Sequence, residues 1–239
     1  MHLISLSFHS DRYPSQDHYP FNLEIFAKTG TIHFQSPITF FVGENGTGKS
    51  TLLEAICRGS GFHIWSGIKR TRFDVNPYED TLYRYISLQW ANGRVPGSFF
   101  ASDIFRNFAK NLDEWSALDP GMLAYFGGKS LMSQSHGQSL MSMFRARYHI
   151  EGLYLLDEPE NALSPRSQLE FLKLLSSIGG KGHAQFIVAT HSPILLACPE
   201  ADILSFDASR VRKLSYEETD YYQIYRDFLN NRDKYLNNL

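Results

Sequence analysis

Ile38-Thr39-Phe40-Phe41-Val42-Gly43-Glu44-Asn45-Gly46-Thr47-Gly48-Lys49-Ser50-Thr51 is the stretch on which the fold turns. Residues 43–50 match G-x-x-x-x-G-K-S/T in full, with a β-branched and aromatic run before them and a helical pattern after them. That setting is what a phosphate-binding loop needs. Gly43, Gly46 and Gly48 let the chain wrap so that successive N–H groups, including those of Glu44, Asn45 and Thr47, point inward. The helix that follows contributes its positive N-terminal end. Lys49 supplies charge to the β- and γ-phosphates, Ser50 a hydroxyl suited to Mg²⁺, and Thr51 a contact to the α-phosphate. ATP with Mg²⁺ is therefore the expected ligand.

Outward from this loop the chain alternates strands and helices, the mark of an α/β fold. Short β-rich runs are expected at Leu3–Phe8, Asn22–Ala27, Thr31–Phe34 and Ile38–Val42, then at Leu82–Trp90 and Val95–Ala101 with a turn at Asn92-Gly93 between them. An amphipathic helix is expected from Ser102 to Trp115, with Ser102 or Asp103 as its cap. A glycine- and serine-rich loop through Ser139 leads to a helical segment ending near Tyr148. Gly152–Leu156 and Gln185–Thr190 read as buried strands, separated by a helix capped by Ser164, with Pro165 in its first turn and Gly179 as its stop. A short strand pair follows at Ile203–Phe206 and Val211–Leu214. The tail from Asp220 reads as a helix with Tyr222, Tyr225, Phe228 and Leu229 inward. No repeat or linker divides the chain, so one domain over 1–239 is expected, with a helical lobe at about 102–148 within it.

Leu153-Tyr154-Leu155-Leu156-Asp157-Glu158 is an apolar strand ending in two carboxylates. Open α/β sheets place ligands at that end of their strands. Asp157 is a candidate Mg²⁺ ligand, and Glu158 a candidate base for the water that attacks a γ-phosphorus.

Asp157-Glu158-Pro159, taken with the preceding Ser135-His136-Gly137-Gln138-Ser139, resembles the ABC-type ATPases. The resemblance runs from Gly43 to His191 by motif and implies a P-loop core sheet, an N-terminal antiparallel β subdomain and an inserted helical lobe. It implies that Ser135 and Gly137 meet the ATP of a second copy across a homodimer interface, that Asn161-Ala162-Leu163-Ser164 is the dimer-contact loop, and that His191 is the switch histidine on the γ-phosphate. His136 stands where the family usually has glycine. The segment Leu140–Arg145 also lacks the arginine- and alanine-rich run of transporter subunits. Glu160-Asn161 and Ser192-Pro193 are similar to the soluble recombination, SMC and OLD-like branch. No sustained heptads lie between Thr51 and Ser135, and little chain follows His191, which implies a stand-alone head. The residue linking core to lobe is Gln89 or, better placed, Asp103. Tyr13, Tyr19 and Phe21 are candidates for stacking on adenine.

Composition bounds the rest. Net charge is −2, from 23 basic and 25 acidic residues, so no global field draws the chain to nucleic acid or an anionic membrane. The local run Lys69-Arg70-Thr71-Arg72 reads as a solvated loop at least as well as a polyanion contact. Cys57 and Cys198 sit in apolar contexts and read as small buried hydrophobes of a reducing compartment. The first residues lack a signal-peptide pattern, and no stretch approaches the ~20 apolar residues of a membrane helix. A cytoplasmic Mg²⁺-dependent ATPase controlling a protein partner, in nucleic-acid processing or defence, is the expectation. Its rivals are a slow ATP-sensing switch and the motor subunit of a transporter with a separate membrane chain.

Overall fold

A computed structural model describes residues 1–64, 76–126, 128–133 and 136–236. The basic run 69–72 and Ser135 lie outside the described residues, as does the side chain of Asp103.

The apolar runs found by sequence become the centre of a six-stranded sheet. Its order is β5 (Gly97–Ala101), β6 (Gly152–Asp157), β7 (Ala184–Ala189), β3 (Ile38–Val42), β8 (Asp202–Ser205) and β9 (Arg212–Leu214). All neighbours are parallel except β8 and β9, which form an antiparallel pair. β3, β6 and β7 are continuous in apolar character because both sheet faces are covered. Phe40, Tyr154, Leu156, Phe186 and Val188 face one core, with Phe105, Phe144 and Phe171 packed over them. Phe41, Leu153, Leu155 and Ile187 face the other, under Leu52, Leu53 and Ile56. Side chains alternate along each strand, so one strand feeds both cores. Each large side chain removed from water stabilises the fold by about 1.5–3 kcal/mol.

The second core is shared with a three-stranded antiparallel sheet, β2 (Thr31–His33), β1 (Leu3–Phe8) and β4 (Ile86–Trp90), in that order. Gln185, fully buried on β7, ties the two sheets together. Its Oε1 accepts from the N–H groups of His2 and Leu3 at 2.9 and 2.8 Å, and its Nε2 donates to the Leu3 carbonyl at 2.9 Å.

Helices cover the sheet: α1 (Glu24–Lys28), α2 (Lys49–Ser60), α3 (Ser102–Ser116), α4 (His136–Arg147), α5 (Pro165–Gly179), α6 (Pro193–Leu196), α7 (Asp220–Asn230) and α8 (Arg232–Leu236). Ser164 caps α5 as expected, its side chain accepting from Ser167 N. Two expectations are corrected. Most of the 22–27 run forms α1, where Ile25 and Phe26 bury at adjacent helical positions, not a strand. Asn92-Gly93 lies between β4 and β5, which belong to two different sheets. The apolar residues of α7 do not turn inward: Tyr225, Phe228 and Leu229 are exposed. The face of α7 that packs inward carries Tyr221, and it leads to the site below.

Candidate active site

The C-terminal ends of β3, β6 and β7 converge at one edge of the sheet, and each carries one of the sequence motifs. From β3 the chain turns at Gly43, with φ +144° and no room for a side chain, since a Cβ there would stand 2.9 Å from Asp207 Oδ1. Gly48 caps α2 in the left-handed region, and its missing Cβ leaves space for the Phe26 ring, which would otherwise be 2.6 Å away. Between them Thr47 Oγ1 donates to the Glu44 carbonyl at 2.9 Å, and Glu44 N–H donates to Asp207 Oδ1 at 2.7 Å. The loop is therefore held in shape by its own hydroxyl and by a carboxylate from beyond β8. Asn45 and Gly46 are exposed at its tip.

Lys49 is buried, and its ammonium donates to the carbonyls of Gly43 at 2.6 Å and Glu44 at 2.9 Å. Burial pulls the Lys49 ammonium down from the ordinary lysine value, against the opposing pull of Glu158, Asp157, Asp207 and Glu44. A polyanion arriving here would supply the charge complement that the loop carbonyls only partly provide. Ser50 donates from Oγ to Asp157 Oδ1 at 3.0 Å. A hydroxyl and a carboxylate in contact at the mouth of the loop fit a hard divalent cation whose remaining ligands are phosphate and water. Among the described residues no cluster of three or more His, Cys, Asp or Glu is placed to hold a metal ion. Thr51 follows, and its Oγ1 meets the Tyr19 hydroxyl.

Glu158 lies one residue past β6, in the left-handed region at φ 46° and ψ 53°. A glutamate held there stores conformational energy, of order 1–3 kcal/mol, that neighbouring contacts must offset. Its N–H donates to the Ala189 carbonyl at 2.9 Å, and its carbonyl accepts from Ser102 Oγ. Its carboxylate is bracketed. Asn161 Nδ2 donates to Oε2 at 2.7 Å, and Nε2 of His191 lies 3.3 Å from Oε1, without the alignment of a good hydrogen bond. His191 follows β7, and its own N–H donates to Oε1 of the buried Glu160 at 2.6 Å.

The structure thus brings together Lys49, Ser50, Asp157, Glu158 and His191 from three separated motifs. Gly137 lies in the first turn of α4, where a Cβ would stand 3.1 Å from the Ala162 carbonyl. Gln89 is a correction: it sits on β4 in the antiparallel sheet and accepts from Ser5 Oγ at 2.9 Å. Its spacing from the loop is satisfied, but the strand carrying it ends in the other sheet. Asp103 is the second residue of α3, which follows β5 directly. Ser102, expected to cap α3, instead bonds across to Glu158, and the cap position falls to Ala101 with no side-chain bond. Tyr13 and Phe21 pack against each other with ring centroids 4.7 Å apart, and Tyr13 donates to the Phe26 carbonyl. Tyr19 borders a cleft of about 230 Å³ that it shares with Ser50, Thr51, Glu54, Arg58 and Tyr83.

Sequence reasoning missed Asp207, Glu160 and Tyr221 as members of this site. Asp207 was open to discovery, because it follows a parallel strand at the ligand end of the sheet. Tyr221 gave no local signal. Its hydroxyl donates to the Gly43 carbonyl at 2.8 Å and lies 2.5 Å from Nδ1 of His191.

Comparison with known proteins agrees with this geometry. A family model described as "AAA domain" matches residues 21–76, which hold the phosphate loop. Another, described as "AAA domain, putative AbiEii toxin, Type IV TA system", matches residues 121–197, which hold the acidic pair and His191. The fold matches that of cbiO1 from Clostridium perfringens, part of the ABC transporter complex cbiONQ, over 100% of both chains with a TM-score of 0.55. The chain has the fold of the ABC-type P-loop ATPases. Identity to cbiO1 is 17%, so that likeness speaks for the fold and not for transport. The same holds for the ATP binding subunit of an ABC transporter, which this chain matches at 16% identity with a TM-score of 0.51, over 95% of this chain and 93% of that one. An OLD nuclease of Thermus scotoductus is 41% identical over 63 residues, 26% of this chain and 11% of that protein. No helix among the described residues is long and apolar enough to cross a membrane.

Proposed function

We propose that this ATPase binds ATP with Mg²⁺ and hydrolyses it by in-line attack of a water that Glu158 orients and deprotonates. The observation that carries this is the meeting of Ser50 with Asp157 at 3.0 Å beside a Glu158 carboxylate held between Asn161 and His191. Lys49 and the loop N–H groups bind the phosphates, and Ser50 and Asp157 would hold the Mg²⁺. Bound there, the ion neutralises phosphate charge. The water loses its proton to Glu158 as its oxygen bonds the γ-phosphorus. The bond to the bridging oxygen breaks, and ADP and phosphate leave. His191 meets the γ-phosphate side of the site, and Tyr19 borders the cleft beside Thr51 where the base would lie.

The second part of the proposal is that two copies sandwich two ATP molecules, with Ser135 and Gly137 of one reaching the phosphate loop of the other, and that this closure controls a protein partner. The resemblance to ABC-type heads supports it, and Gly137 in the first turn of α4 is in keeping with it. The likeness to an OLD nuclease and to a model described with a toxin–antitoxin system supports nucleic-acid processing or defence as the setting.

Phosphate release with purified protein tests the chemistry. Lys49→Ala is expected to lose ATP binding. Glu158→Gln is expected to bind ATP as the wild type does and to hydrolyse it at least ~10²-fold more slowly, the scale of losing a general base. Wild-type turnover by Glu158→Gln would remove Glu158 from its assigned role.

A further inference from the structure

We infer that Tyr221 is a positioning residue that holds a proton on Nδ1 of His191 and so turns Nε2 toward Glu158 and the phosphate side. This rests on the ATPase function proposed above for its consequence, though not for its geometry.

A hydroxyl has one proton to give. The Tyr221 oxygen lies 2.8 Å from the Gly43 carbonyl oxygen, and two oxygens at that distance need a proton between them. A carbonyl only accepts, so the phenol proton goes to Gly43. The same oxygen lies 2.5 Å from Nδ1 of His191, and that contact also needs a proton. It can come only from the imidazole. Nδ1 therefore carries a proton, and Nε2 faces Oε1 of Glu158 at 3.3 Å. Which ring nitrogen carries the proton is set by the partner of the other, and here that partner is Tyr221. Burial, together with the nearby carboxylates of Glu44, Asp207, Asp220 and Glu158, holds the Tyr221 phenol above its ordinary value, so it stays a neutral donor.

The residue is well placed for such a role. It sits in the first turn of α7, whose start is pinned by three contacts. Ser215 and Glu218 form a capping box, Thr219 Oγ1 caps α7 by accepting from Tyr222 N, and the Tyr216 hydroxyl donates to the Pro193 carbonyl at 3.0 Å, two residues after His191. The Tyr221 and His191 rings meet edge to face with centroids 5.1 Å apart. The Gly43 carbonyl receives two donors, Tyr221 and the Lys49 ammonium at 2.6 Å. When Lys49 turns to a phosphate, Tyr221 keeps that carbonyl satisfied. One side chain thus touches the first residue of the phosphate loop and the histidine on the opposite side of the site.

The test is the ¹⁵N spectrum of the histidine rings in the ligand-free protein, with the His191 signals assigned from a His191→Gln variant. Wild type should show a protonated Nδ1. Tyr221→Phe keeps the ring and should shift His191 toward the Nε2–H form. Tyr216→Phe is the control, since it loses a comparable hydroxyl-to-carbonyl bond nearby and should leave the tautomer unchanged. In turnover, Tyr221→Phe should lower kcat roughly 10-fold while leaving ATP affinity within about 3-fold. A His191 tautomer unmoved by Tyr221→Phe, or moved equally by Tyr216→Phe, overturns the inference, as does an unchanged kcat in a protein shown to hydrolyse ATP. Should the wild type prove inactive, the hydrolytic proposal falls, while the spectrum still decides the role of Tyr221.

Discussion

Glu160 shows how much a single side chain in this site is asked to do. It is buried, and its Oε1 holds the backbone N–H of His191 at 2.6 Å. Burial raises its carboxyl above the usual glutamate range, against the N–H of His191 and other local donors that pull it down. A carboxyl raised in the folded state gives stability that is whole below its unfolded value and is lost as pH climbs through the folded value. Glu160→Gln retains an acceptor and cannot ionise. The melting temperature of the variant relative to wild type is therefore expected to rise as pH climbs above the ordinary glutamate value of about 4.3 and the wild-type group becomes charged. Parallel melting curves across that range, read by circular dichroism, would show that burial of this charge costs the fold nothing.

Elements are held by a few contacts whose removal has a calculable effect. Ser164 caps α5, and Ser164→Ala should lower stability by about 1 kcal/mol, a shift in Tm of about 2–4 °C for a domain of this size. Gln185 makes a larger test, because it joins β7 to the chain entering β1 through three hydrogen bonds to backbone groups. Gln185→Leu fits the apolar surroundings of β7 but strands two N–H groups, each costing about 1–3 kcal/mol when left buried and unpaired. A loss of at least about 2 kcal/mol in urea unfolding is expected, and no loss would mean that the two sheets are joined by packing instead. The elements that sequence patterning placed well, such as β3, β6, β7 and α5, are those whose apolar spacing and end residues agree with their tertiary surroundings. α1 and α7 are the exceptions. In α1 a short apolar run served helix and strand equally. In α7 the apolar residues that suggested an inward face lie outward, while Tyr221 packs in.

At the scale of the whole molecule the proposal is a pair of copies closing on two ATP molecules. Glu158→Gln in ATP and Mg²⁺ is expected to double its mass by light scattering, since binding continues while hydrolysis is slowed. Ser135→Arg in that background is expected to remain monomeric and yet bind ATP, because its own phosphate loop is untouched. A Ser135→Arg protein that pairs normally would remove Ser135 from the interface. ATP should also raise the Tm of the monomer, by mass action on the folded state.

Local chemistry was enough to read the phosphate loop, the carboxylates of Asp157 and Glu158, and the buried strands that carry them. Each depends on residues close in sequence: glycines that let successive N–H groups converge, a lysine at the head of a helix, and an apolar run ending in acid. The family resemblance added His191. What only the tertiary structure decided is which distant groups complete the site. Gln89 has a plausible spacing yet ends in the other sheet, whereas Ser102, Asp207 and Tyr221 arrive at the phosphate loop and Glu158 from elements with no motif of their own. Tyr221 and Gly43 are 178 residues apart, and no periodicity spans that distance. Their contact follows from where the β8–β9 hairpin delivers the chain, and from the caps that start α7 beside His191. A hydrogen bond needs its partners within a few tenths of an ångström, and only the packed fold sets distances that fine.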